Sequence, residues 1–339
     1  MLAAVFTEKK NIDVCDFSLR TIQKNELLIK VASCGVCGTD RHIYDGVAPS
    51  SIPIILGHEF SGIIVEKGDS NNEFMVGDKV AIDPNIYCWQ CNYCKKGMVN
   101  FCKNLKALGV NINGGFAEYS IVPSSQVYRL PNDFNLNLAA FAEPLSCCVR
   151  GIENADIKPG NTVVIIGGGS IGLIMIQLVQ NSGASKIILV EPCDYKRQLG
   201  LDLGADFSID PNDHLAFKAI EDLTNSQVDI VIECVGKNTT VEDAIKIAGK
   251  GGKVVIFGLT PADQNIVINL QSVFHKELKI INSYLNPFTF KKAVDLLINS
   301  RINVKKLISR QVYLKDITDV FNNNLDVQHI VKTQIINFN

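Results

Sequence analysis

The sequence predicts an α/β chain of two parts. The first is a β-rich domain built as a small barrel or sandwich, and the second is a doubly wound parallel sheet. Three observations predict this. Up to about residue 148, short β-branched runs follow one another at close spacing. From about 149 the rhythm becomes strand, helix, strand. Between one such strand and helix lies Gly167-Gly168-Gly169-Ser170-Ile171-Gly172, a turn that only a backbone free of side chains makes easily. A length of 339 residues suits two domains.

Taken in order, Glu26–Ala32 and Phe60–Glu66 suit strands, and a Gly77-Asp78 turn precedes Lys79–Ile82. Glu118–Val122 is a further strand, stopped by Pro123. In the second part, Asn161–Ile166 reads as a buried parallel strand and Leu173–Gln180 as a helix that Gly183 stops. Lys186–Val190 and Val228–Glu233 are strands, with helices over Tyr195–Leu203 and Val241–Ala248. Gly251–Phe257 and Lys279–Asn282 complete the set. The tail offers a helix over Thr289–Asn299, a strand at Ile308–Tyr313, a helix start at Leu314–Asp316 and a last strand, Ile330–Ile336. Those pieces exceed a six-stranded nucleotide domain and are free to return to the first one.

Strand, glycine turn and helix together form a dinucleotide fingerprint. Gly167 permits the tight turn, Gly169 lets backbone approach a pyrophosphate, and Gly172 brings the helix close to the strand. The free N–H groups at Ser170, Ile171 and Gly172 then face the phosphates. Glu191 closes the next strand about twenty residues on, where an acid meets the adenosine ribose diol. A carboxylate there repels a 2′-phosphate, so NAD is expected over NADP.

Composition excludes several classes. A net charge of −2 gives no reason to expect nucleic acid or an anionic membrane as partner. No apolar run of ~18 residues is present, and the N-terminus is charged too soon for a signal peptide. A cytoplasmic protein is expected.

Eleven cysteines are present, four of them between Cys88 and Cys102. Clustered cysteines in a cytosolic chain point to metal more than to disulfides. Cys88, Cys91, Cys94 and Cys102 suit a closed tetrahedral zinc site without an open position, hence a structural one, with an iron–sulfur cluster as the alternative. Cys37, His58, Glu59 and Glu143 form a dispersed second set. Singly, each has an ordinary reading as a core or structural residue. Cys34 reads as core, and Cys147-Cys148 as packing at a helix start.

Cys37-Gly-Thr-Asp40, Gly57-His-Glu59, the four-cysteine loop and the glycine fingerprint follow the order of the zinc-dependent medium-chain dehydrogenases, which this chain resembles over essentially its whole length. Glu143-Pro-Leu-Ser146 and Asn282–Phe290 are most similar to the polyol and threonine dehydrogenase branch. The resemblance implies a GroES-like β-barrel catalytic domain, residues 1–148 completed by 287–339, and a Rossmann cofactor domain, residues 149–286.

The resemblance also implies roles. Cys37 and His58 match ligands of a catalytic zinc, Glu59 an acid that ligates it or stays close, and Glu143 a carboxylate that binds the zinc or its water. Asp40 matches the residue that orients the histidine. Thr39 and His42 match the pair that passes the substrate proton to solvent. Lys196 falls beside the adenosine ribose, and Val235, Gly236, Gly258 and Leu259 at strand ends near the nicotinamide. One catalytic and one structural zinc, NAD, and a homodimer or homotetramer follow, with oxidation of a secondary alcohol of a polyol-like substrate to the ketone. Sorbitol dehydrogenases carry an Arg-Tyr pair where this chain has Ser283-Tyr284, which points away from sorbitol itself. L-Threonine, other amino alcohols and cyclitols are the alternative substrates; a non-catalytic nucleotide-binding protein on the same fold is the remote alternative. Tyr44, Tyr284 and Asn286 are candidate pocket residues.

Overall fold

In the computed structural model, residues 1–71, 73–260, 265–322 and 329–337 are described. The chain divides into two compact units, Met1–Ser146 with Asn286–Ser300 and Val304–Asn339, and Cys147–Leu285 with Arg301–Asn303.

In the first unit, a seven-stranded sheet runs Val127–Arg129, Lys79–Ile82, Glu59–Lys67, Glu26–Gly35, Lys332–Ile336, Ile308–Tyr313, with Tyr119–Pro123 also paired to Glu26–Gly35. Ile308–Tyr313 and Lys332–Ile336 pair in parallel; the other pairs are antiparallel. A three-stranded sheet, Asn11–Asp16, Leu2–Glu8 and Ile54–Ile55, packs with it. Leu27, Ile29, Val31, Phe60, Ile64, Val80 and Phe116 fill the shared core. Each fully buried apolar side chain of this size contributes about 1.5–3 kcal/mol. Tail strand Lys332–Ile336 is buried along its whole length because it lies between two other strands. The orphan tail pieces thus find their place: Gln334 pairs with Gly35.

The second unit is a six-stranded, all-parallel sheet: Phe207–Ile209, Lys186–Val190, Thr162–Ile166, Ile230–Glu233, Lys253–Ile256, Lys279–Asn282. The strand first in sequence is central, and later strands are laid down to one side and then the other. That order reverses at the carboxyl ends of Thr162–Ile166 and Ile230–Glu233, the place where open sheets of this kind bind ligands. Strand Phe207–Ile209 and helix Ala216–Thr224 were not legible as periodic runs, the strand being only three residues long. Cys147 and Cys148 sit in the middle of helix Ala142–Ala155, so the expected helix start there is corrected.

Candidate metal centres and cofactor site

Strand Glu26–Gly35 ends just before Cys37, which caps the helix Gly38–Tyr44 from an extended backbone. The cap is closed by Asp40, whose Oδ2 accepts from the Cys37 N–H at 2.8 Å. Asp40 is fully buried, and its Oδ1 accepts from the Gly57 N–H at 3.3 Å. This ties the helix to the turn that presents His58 and Glu59. Nδ1 of His58 lies 3.3 Å from that same Oδ1. Ligand atoms of Cys37, His58 and Glu59 all fall within 4.8 Å of one another.

The pocket is anionic. Two buried carboxylates, Asp40 and Glu59, stand beside the Cys37 sulfur, and the buried Lys332 pairs with Glu59. Burial opposes the protonation of His58, but Asp40 and Cys37 outweigh it and raise its pKa well above the ordinary value. A divalent cation held by soft sulfur, imidazole and carboxylate fits this donor set. Glu143 is buried in the first turn of Ala142–Ala155 and stands outside the group of three. Thr39 and His42 are half-buried on the helix that Cys37 caps.

Lys332 forms an ion pair with Oε2 of Glu59. The two residues sit on strands either side of Glu26–Gly35, and they meet across Gly35. Any Cβ on Gly35 would strike the Glu59 carboxylate and come within 2.8 Å of Lys332 Cε. Glycine is therefore the window through which the pair forms.

The four sulfurs of Cys88, Cys91, Cys94 and Cys102 also lie within 4.8 Å of one another. A tetrahedral zinc with bonds of ~2.3 Å sets its sulfurs about 3.8 Å apart; Cys88 and Cys94 Sγ are 4.0 Å apart. All four are free thiols. Backbone N–H groups of Cys94 and Lys103 pull Cys91 down to about 6, which favours the thiolate. Apart from the cysteines, Val99 is the one fully buried apolar residue of this loop's small cluster among the described residues, so the loop has little apolar core of its own.

In the second unit, Gly167 has φ +103° and Gly169 caps the helix Ser170–Asn181. A Cβ on Gly172 would run into the Gly167 carbonyl, and one on Gly168 would come within 2.8 Å of Glu191 Cγ. Around Gly169 there is open space, so that glycine serves something other than the protein's own packing. Both oxygens of Glu191 are engaged: Oε2 accepts from Gly168 N at 2.6 Å and Oε1 from Cys193 N at 2.9 Å. Glu191 thus fixes the glycine loop. Lys196 is half-buried on the helix Asp194–Asp202. Val235 and Leu259 are exposed at strand ends, while Gly236 and Gly258 lie back to back.

Two family models match the chain: the alcohol dehydrogenase GroES-like domain over residues 23–132, and the zinc-binding dehydrogenase over residues 170–299. D-arabinitol dehydrogenase 1 of Uromyces fabae is 30% identical over 313 residues, 91% of this chain and 89% of the relative. The chain belongs to the zinc-dependent medium-chain dehydrogenases. L-threonine 3-dehydrogenase of Pyrococcus abyssi is 36% identical over 254 residues, 74% of this chain and 73% of that one. A protein of Sinorhizobium meliloti 1021 solved bound to NADP superposes with a TM-score of 0.95 at 38% identity, covering 99% and 98% of the two chains. As a zinc-type alcohol dehydrogenase, the chain is an oxidoreductase acting on small molecules with zinc and a nicotinamide dinucleotide. Its GroES-like and Rossmann folds are those implied by its sequence. No helix among the described residues is long and apolar enough to cross a membrane.

Two candidate pocket residues of this dehydrogenase are corrected. Tyr44 is 5% exposed, its hydroxyl bonded to the Lys10 carbonyl and to Asn322 and its ring packed on Phe321. Asn286 is 1% exposed and is the hub of a buried polar network: it donates to Asp83 and Ser146 and accepts from Asn85. Tyr284 is exposed. Lys332 went unnoticed in the sequence, where it opens a strand that also carries Thr333 and Gln334 and so looks like an ordinary polar strand start.

Proposed function

We propose that this dehydrogenase oxidises a secondary alcohol of a polyol or sugar-alcohol-like substrate to the ketone, with NAD as hydride acceptor. The observation that carries the reading is the convergence of the ligand atoms of Cys37, His58 and Glu59 within 4.8 Å of one another. On this reading residues 1–148 with 287–339 form the catalytic domain and 149–286 the cofactor domain. When bound, zinc supplies a Lewis acid for the substrate hydroxyl, and the nicotinamide takes up the carbinol hydride. Asp40 holds the His58 ring. Thr39 takes the hydroxyl proton and His42, three residues on along the same helix, delivers it to water. Glu143 contributes a further carboxylate toward the metal or its water.

NAD is favoured over NADP by how Glu191 and Arg197 are used. The carboxylate of Glu191 is held rigidly where it would oppose a 2′-phosphate. Arg197 donates to the carbonyls of Glu191 and Pro192 and pairs with Asp194 and Asp210, so its charge is already committed. The likeness to a threonine dehydrogenase supports L-threonine as the second reading. A panel of pentitols, hexitols, inositols, sugar phosphates and L-threonine, run with each cofactor, tests both. Turnover of a pentitol or hexitol with NAD at least about tenfold above NADP is expected; turnover of L-threonine alone selects the second reading, and an NADP preference overturns the cofactor assignment. Metal analysis should return two zinc ions per chain.

A homodimer or homotetramer is supported by one edge of the parallel sheet. Edge strand Lys279–Asn282 is largely exposed, and helix Leu270–Lys276 has no buried residue, with Leu270 76% and Phe274 77% exposed. An unpaired edge beside such apolar groups suits a second copy of the chain. Light scattering should give a dimer or tetramer, and Leu270→Glu/Phe274→Glu should reduce the mass; unaltered assembly would move the interface elsewhere.

A further inference from the structure

Glu233 is fully buried at the carboxyl end of the strand Ile230–Glu233, beside Thr162–Ile166, where the strand order reverses. Its Oε1 accepts three hydrogen bonds, from Val235 N at 2.9 Å, Gly236 N at 2.9 Å and Thr240 Oγ1 at 2.7 Å. Its Oε2 has no hydrogen-bond partner among the described residues. Its carbonyl accepts from Phe257 N and Gly258 N of the next strand's turn. One residue therefore holds two strand-end turns at once.

The turns fit against it closely. A Cβ on Gly258 would come within 2.7 Å of the Glu233 carboxylate and would strike Gly236 N. Gly236 has φ +81°, and a Cβ there would lie 2.6 Å from the Leu259 carbonyl. Val235 in turn covers Gly167 of the glycine loop: a Cβ on Gly167 would meet its Cγ2 at 2.7 Å. Shape thus passes from the Glu233 carboxylate to Val235, to Leu259 and to the first glycine of the fingerprint. A buried carboxylate with one oxygen lacking a donor is unfavourable for folding. An apolar side chain in its place would leave the Val235 and Gly236 N–H groups and the Thr240 hydroxyl without this acceptor. Against the cost of burying the carboxylate stand the three donors on Oε1, which tie the Val235–Gly236 turn and Thr240 to one side chain.

We propose that Glu233 is a positioning residue for the nicotinamide dinucleotide: it fixes the Val235–Gly236 and Gly258–Leu259 turns in the form that binds the cofactor. The proposal rests on the reading above that these turns line the cofactor site. Its test is the binding of NADH, followed by the fluorescence of the bound nucleotide at 20 °C. The melting temperature is recorded alongside. Glu233→Gln keeps the shape but weakens the charge-assisted bonds, and Thr240→Val removes one donor. The expected Kd for NADH rises about tenfold in Glu233→Gln and about threefold in Thr240→Val, with KM for the cofactor rising and kcat nearly kept. An unchanged Kd in both variants, whether or not the melting temperature falls, makes Glu233 a purely structural group and overturns the proposal. If Glu233→Gln does not fold, Thr240→Val decides alone by the same criterion. Failure of the unaltered chain to bind NADH would instead overturn the cofactor reading, and the proposal with it.

Discussion

Replacing Lys332 by methionine is expected to lower stability by about 3–5 kcal/mol, which is on the order of 10 °C in melting temperature for a chain with units of this size. The reason is Glu59. Lys332 and Glu59 are 4% and 2% exposed, and the lysine is the buried cation paired with that carboxylate. Methionine matches the length of the stem and removes the charge, so the carboxylate is left in a medium that solvates it poorly. The measurement also asks whether Glu59 ligates the metal. If Glu59 turns to zinc, the loss should be much larger in zinc-free protein than in zinc-loaded protein, because the metal takes over the role of the lysine. An equal loss in both would keep Glu59 off the metal.

A second substitution should act in the opposite direction. Asp83 is buried, and burial pushes its pKa up to about 6, against opposing hydrogen bonds from Asn85 N and Asn286. In the unfolded chain the group titrates near 3.9. The folded state therefore holds the proton more tightly. The stability this gives is fully present below about pH 4 and is lost as pH rises to about 6, a loss of about 3 kcal/mol. Asn at this position keeps the oxygen that Asn85 and Asn286 donate to and has no charge to bury. Asp83→Asn should thus be the more stable protein at pH 7.5 by up to about 3 kcal/mol and equal to the original near pH 4, as read by denaturant unfolding at both pH values. The neighbour whose charge state matters is Tyr128, whose pKa is raised by burial and by Asp83. A variant that is less stable at both pH values would mean that the second carboxylate oxygen holds the network together.

What could be read from the sequence was whatever is local. Cys88 to Cys102 bring their chemistry together within one loop and Gly167 to Glu191 within two neighbouring strands and their turns, so spacing alone carries the signal. The seven-stranded sheet's outline was legible from β-branched runs, and the parallel sheet of the second unit from the alternation with helices. Contacts made across strands were not. Glu59 meets Lys332 only because Gly35 lacks a side chain between them, and nothing near any of the three residues announces it. Asn286 looked like a pocket residue from its place in the family pattern, yet its amide is spent on Asp83, Asn85 and Ser146. Glu233 closed an ordinary apolar strand, and its three donors come from residues after the strand ends. Helix Gly38–Tyr44 was missed because its seven residues include glycine and threonine, and it is a capping aspartate rather than an apolar stripe that starts it.

The window at Gly35 also sets an order of events during synthesis. A ribosome has made Cys37, His58 and Glu59 long before it reaches Lys332. Until then the strand that pairs beside Glu26–Gly35 is missing, and the carboxylate of Glu59 lacks the cation it meets in the finished fold. That buried pair forms only once the last strand is in place, so the N-terminal half of the site waits for the C-terminal end of the chain.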